Sequence, residues 1–129
     1  MQNKDKINTP GTDYTNAAKP GTVVALGMFD GMHVGHKKII DATVLIARQS
    51  GLVPAVFTFK NHPQELFGKK ILRLCSNETR AALMRRQGIE LVDEVEFTSA
   101  IRDLSAESFI RMLAERLNPK IIVAGFNYT

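Results

Sequence analysis

The stretch VVALGMFDGMHVGH, residues 23–36, decides how the rest of the chain folds. Its first four residues are apolar and partly β-branched, a strand-sized run, and Gly27 closes it. The segment 27–36 then leads into a helical pattern in which Ile40, Val44 and Ala47 recur at offsets of four and three. A buried strand, a glycine-rich turn and an amphipathic helix make the opening of a β-α-β unit. Working outward, further strand-sized apolar runs occupy residues 53–59, 91–95 and 121–124. Between them a helix is expected from Ser76 as N-cap, with Glu78 in the first turn, to Gly88 as its stop. Another stripe is formed by Phe109, Ile110, Leu113 and Leu117. Strands that alternate with helices predict right-handed crossovers, so the expected fold is α/β: a Rossmann-like parallel sheet with helices on both faces. In such sheets ligands bind beyond the carboxyl ends of the strands, which directs attention to the residues after Leu26, Phe59 and Ala124.

Composition narrows the function classes. The chain has 129 residues, 44% of them hydrophobic and 23% charged, the usage of one ordinary globular domain. A domain of that size buries roughly two thirds of the surface its unfolded chain exposes and needs no disulfide or metal to fold. Cys75 is the single cysteine, suits a reducing compartment, and has no neighbour in sequence that would depress its pKa. No run approaches the ~18 apolar residues of a membrane span, and no signal-peptide core opens the chain, so a cytoplasmic protein is expected. Seventeen Lys and Arg against thirteen Asp and Glu give a net charge of +4, which suits an anionic ligand. The basic residues are dispersed, and two tyrosines with no tryptophan offer little for bases to stack on, so neither nucleic acid nor membrane is expected as a partner. Residues 1–20 hold hardly any large apolar side chains and read as a flexible lead-in; residues 21–129 form the domain.

The turn after the first strand carries the chemistry. Gly27, Gly31 and Gly35 let the backbone turn sharply and let a ligand approach main-chain amides. Their spacing matches neither G-x-G-x-x-G nor G-x-x-x-x-G-K-[ST]. His33 and His36, three apart at an expected helix start, can both lie on one face with the positive helix end, an arrangement suited to an anion. Two neighbouring histidines also arise as exposed residues or partial metal ligands, but His62 and Cys75 lie on other segments, which disfavours zinc.

The full string 27–36, G-x-F-D-G-x-H-x-G-H, resembles the signature of bacterial FAD synthetases, the FMN adenylyltransferases, within the H-x-G-H nucleotidyltransferase superfamily. The exit of the second strand, Phe57-Thr58-Phe59-Lys60-Asn61-His62-Pro63, is similar to that family's F-x-F-x-x-H-P. Gln87-Gly88-Ile89, Val95-Glu96-Phe97, residues 104–109 and the closing Gly125-Phe126-Asn127-Tyr128-Thr129 follow in the family's order. The resemblance covers the chain from about Pro20 to its last residue. It implies transfer of AMP from Mg-ATP to FMN, giving FAD and pyrophosphate, with ATP and FMN as substrates and Mg2+ as cofactor.

By the same resemblance, His33 and His36 contact the ATP phosphates, with His36 the one expected at the transition state. Gly27, Met28, Phe29, Asp30 and Gly35 are expected to line the nucleotide pocket. On the flavin side, Asn61, Pro63 and Phe67 match positions along the ring, and Asn127 matches one that hydrogen-bonds it. For Phe67 taken alone, core packing is the plainer reading. His62 reads either as a residue fixing the turn before Pro63 or as a flavin contact, and the structural role is favoured.

The family's pattern continues with F-G after Thr129, then with a Ser/Thr-rich motif ending in Ile-Arg that contacts ATP phosphates, and in many members with a riboflavin kinase module. The chain is therefore expected to be incomplete at its C-terminal end, and its fourth strand to leave an apolar edge that promotes association. Two other readings remain open at this point: a truncated domain that binds nucleotide or flavin without catalysis, and another nucleotidyltransferase such as a cytidylyltransferase.

Overall fold

The structure is a computed structural model that describes residues 20–29, 34–61, 68 and 76–124. The expectations at Asp30, His33, His62, Pro63, Phe67, Cys75 and Asn127, and for the lead-in up to residue 19, lie outside the described residues. Four strands alternate with helices: β1 (Thr22–Leu26), α1 (Val34–Ser50), β2 (Val53–Phe59), α2 (Asn77–Arg86), β3 (Leu91–Val95), α3 (Ser99–Arg102), α4 (Ala106–Leu117) and β4 (Pro119–Val123). The strands form one parallel sheet in the order β3-β2-β1-β4. Val24 stands opposite both Ala55 on β2 and Ile122 on β4.

Alternation along the strands builds two cores. Ala25 and Val56 pack with Phe29, Ile40, Val44, Met84 and Ile89 on the side of α1 and α2. Val24, Ala55 and Phe57 pack with Leu113 and Leu117 of α4 on the other. The topology accounts for this division. The steps from β1 to β2 and from β2 to β3 run one way across the sheet, and the step from β3 to β4 runs back past both. Right-handed crossovers then place α1 and α2 on one face and α4 on the opposite one.

The boundaries of α2 follow from its caps. The Ser76 hydroxyl accepts from the Thr79 N–H, and Glu78 lies in the first turn. At the other end the Ile89 N–H bonds the Met84 carbonyl at 3.1 Å and the Gly88 N–H bonds the Arg85 carbonyl at 3.0 Å, the paired bonds of a Schellman motif. Gly88 takes φ +118°, which only glycine adopts freely, and Met84 and Ile89 close the motif by packing in the same core.

Two expectations change, and one element was not expected. The stripe on α4 is Phe109, Leu113 and Leu117, because Ile110 is turned about 100° from Phe109 and is 49% exposed. The fourth strand begins at Pro119 and ends at Val123, earlier than 121–124. Asn118 ends α4 in a left-handed conformation, φ 51°, and the Thr22 N–H and hydroxyl bond the carbonyls of Asn118 and Leu117, so pairing with β1 starts at once. The short helix α3 had no apolar period to announce it; Thr98 caps it by accepting from the Ile101 N–H.

β3 is an edge strand of the described sheet, which accommodates the charges inside its sequence LVDEV. Asp93 faces α4 and receives both guanidinium arms of Arg116 at 2.7 Å. Hydrogen bonding to Asp93 is the main reason the Arg116 guanidinium holds its proton more tightly than usual.

Candidate active site

In the order β3-β2-β1-β4 the chain's direction across the sheet reverses at β1, so the crevice beyond β1 and β4 is the switch point where ligands of such sheets bind. Gly27, Met28 and Phe29 leave β1 there. Phe29 adopts φ 56°, in the left-handed region that a bulky residue rarely enters and that costs about 1–3 kcal/mol. Burial offsets the cost: the ring is 1% exposed, and burying such a side chain contributes roughly 1.5–3 kcal/mol. The Phe29 ring belongs to the core. The requirement for Gly27 is one of space rather than of φ: a β-carbon there would lie 2.9 Å from Cζ of Phe29.

His36 occupies the first turn of α1 and is half-buried. Its ring meets the Phe29 ring edge-on, with centroids 5.5 Å apart and planes at 80°. The same phenyl ring thus sets both the approach of Gly27 and the orientation of His36. The 17-residue helix has no acidic residue in its first turn, which leaves its positive end available to an anion, while Arg48 complements the far end. Gly35 contributes to that first turn through its backbone. Among the described residues, no group of three His, Cys, Asp or Glu could hold a metal ion.

Asn61 follows β2 and spans to the exit of β3. It donates from Nδ2 to the Phe97 carbonyl at 3.1 Å and accepts from the Phe97 N–H at 2.7 Å. Phe97 packs edge-on against Phe59, centroids 5.0 Å apart. Asn61 therefore fixes the β2 exit, and both ends of its amide are engaged with protein.

Sequence reasoning missed Arg80, the largest fully buried side chain among the described residues. Arg80 Nη1 donates to the Met28 carbonyl at 2.7 Å, and Nη2 to the Phe59 carbonyl at 2.9 Å. Nη2 also reaches Asn77 Oδ1 and Glu94 Oε2, each at 3.1 Å. The Thr58 hydroxyl donates to the same Met28 carbonyl at 3.3 Å. One guanidinium thus ties together the exits of β1 and β2 and the end of β3. A signal was present: Arg80 lies four residues before Met84 on the inner face of α2, where an apolar side chain is the ordinary choice.

The FAD synthetase family matches residues 15–129. The bifunctional riboflavin kinase/FMN adenylyltransferase of Listeria monocytogenes is 36% identical over 110 residues, covering 83% of this chain and 35% of that protein. The protein of the same description from Bacillus subtilis is 37% identical over 112 residues, covering 84% and 35%. A Listeria monocytogenes FAD synthetase is 27% identical over 120 residues, covering 88% and 48%. The chain thus spans about a third of the length of the two bifunctional relatives. Among solved structures, one described as a macrolide-efflux protein from Streptococcus pneumoniae matches with a TM-score of 0.75 and 29% identity, covering 91% of this chain and 48% of that one. Efflux belongs to that protein's description; among the described residues here, no helix is long and apolar enough to cross a membrane.

Proposed function

The chain belongs to the FAD synthetase family, and on that premise we propose that it adenylylates FMN. An oxygen of the FMN phosphate attacks the α-phosphorus of ATP, the bond to the β-phosphate oxygen breaks, and FAD and pyrophosphate leave. A phosphate monoester has its second pKa at about 6, so the nucleophile is ionised near neutral pH and needs no general base. What remains for the protein is to hold two anions in line and to offset the charge that develops on the α-phosphoryl group and the leaving pyrophosphate.

The observation that carries the reading is the joint placement of the Gly27–Phe29 turn and His36 at the carboxyl end of β1, with His36 in the first turn of α1. Backbone amides of the turn, the helix end and the His36 imidazole form a donor set suited to a triphosphate. His33 joins it as a second imidazole, and Asp30 and Gly35 complete the nucleotide side. Asn61, Pro63, Phe67 and Asn127 form the flavin side. Magnesium would enter with the substrate, since it retains waters and binds largely through substrate phosphates. When bound there, the ion neutralises phosphate charge. A riboflavin kinase module, as in the descriptions of the bifunctional relatives, is the companion expected for this domain, and the cytoplasm its location.

The test is incubation with Mg-ATP and FMN followed by chromatography, with CTP replacing ATP in parallel. FAD formed with ATP and no cytidylyl product with CTP is the expected result. Binding of ATP without any FAD would leave a binding module, and a cytidylyl product would assign a different transferase.

A further inference from the structure

The reaction scheme makes no direct use of Arg80, and tying strand exits together with a buried guanidinium is an expensive way to hold a fold. Burying a guanidinium is costly, and well-packed apolar residues often replace buried ion pairs with a gain of about 1–4 kcal/mol. Here the partner carboxylate, Glu94, is itself 22% exposed, and Nε of Arg80 makes no hydrogen bond among the described residues.

The placement of its donors suggests what the cost serves. The Met28 carbonyl belongs to the same planar unit as the Phe29 N–H, and in a trans peptide the two point in opposite directions. Whatever holds the carbonyl therefore also aims the N–H. Arg80 and Thr58 both donate to that carbonyl, so the Phe29 N–H is directed away from both of them. The peptide leads into Phe29 in its left-handed conformation, where rotation of the 28–29 unit is the simplest way to relax.

We propose that Arg80 is a positioning residue that locks the 28–29 peptide so that the Phe29 N–H is presented to an anionic phosphate beyond β1, while its second arm keeps the β2 exit in register with that amide. The inference rests on the adenylyltransferase reading above. Lysine cannot replace the fork, because one ammonium does not span the Met28 and Phe59 carbonyls in the same planar geometry.

The experiment uses the full protein with Arg80→Lys, Arg80→Met and Thr58→Val, and reads kcat, KM for FMN and the NMR response of the Phe29 amide to Mg-ATP. Arg80→Met is expected to lower kcat about 100-fold, with KM for FMN changed less than about threefold. The Phe29 amide should lose its response to Mg-ATP, Arg80→Lys should not restore it, and Thr58→Val should act in the same direction more weakly. A lowered melting temperature with kcat and the amide response intact would make Arg80 merely structural and overturn the proposal. If Arg80→Met does not fold, the Lys and Val variants carry the same readouts. If the wild-type protein forms no FAD, the adenylyltransferase reading fails separately, and the amide response to Mg-ATP still decides the role of Arg80.

Discussion

The ring of Phe29 occupies the space a side chain on Gly27 would need, with Cζ 2.9 Å from where a β-carbon would stand. The two residues are a matched pair: the absence of a side chain at one lets the other fold back into the core while its backbone turns left-handed.

Gly27→Ala should therefore displace the Phe29 ring and cost about 1–3 kcal/mol, the usual range for an overpacked core. Urea unfolding measures it. Because His36 leans on the same ring, ATP affinity should weaken in parallel; a loss of stability with ATP affinity unchanged would show that the ring does not set the histidine.

His36→Ala should lower turnover by about 100- to 1000-fold, the range for removing one donor to a developing oxyanion. FMN affinity, measured by calorimetry, should hardly change. An equal loss in both would remove His36 from the charge-stabilising role.

Asn61 makes two bonds to the backbone of Phe97, and Asn61→Asp keeps only the acceptor. A carboxylate would then face the Phe97 carbonyl, and a destabilisation of about 1–3 kcal/mol is expected from the lost donor. KM for FMN should rise more than KM for ATP, since Asn61 shapes the β2 exit rather than the β1 turn. A larger effect on ATP would contradict that division.

The Asp103 carboxyl is held below the usual carboxylate range, first by its hydrogen bond from Arg102 and then by that residue's charge. Since the folded-state pKa is depressed, the pair's contribution to stability is present above the ordinary aspartate range and is lost as pH falls through the depressed value. An NMR titration of Asp103 should show its midpoint below the ordinary aspartate range. Arg102→Gln should move that midpoint up; no movement would assign the shift to another cause.

How far the sequence was legible depends on whether a feature is local. The caps of α2 at Ser76 and Gly88 were readable because the residues that make the bonds are the residues that announce them. The cores around Ile40, Val44 and Ala47 and around Leu113 and Leu117 follow from helical periodicity. Ile110 did not follow, because a stripe read from spacing has an edge, and only packing decides which side of it a residue falls. Arg80 left one mark, a charge on the inner face of α2, but nothing that named its partners, and Phe29 left none. Their roles come from strands that the chain brings together only after two crossovers, and neither the carbonyls Arg80 seeks nor the left-handed turn at Phe29 leaves a mark in local pattern.

Adenylyl transfer is tested most directly by supplying ATP labelled at its α-phosphorus together with FMN and following the label. The account predicts that the label appears in FAD and that the released pyrophosphate carries none. Label recovered only in ATP, or only in free AMP, would contradict it.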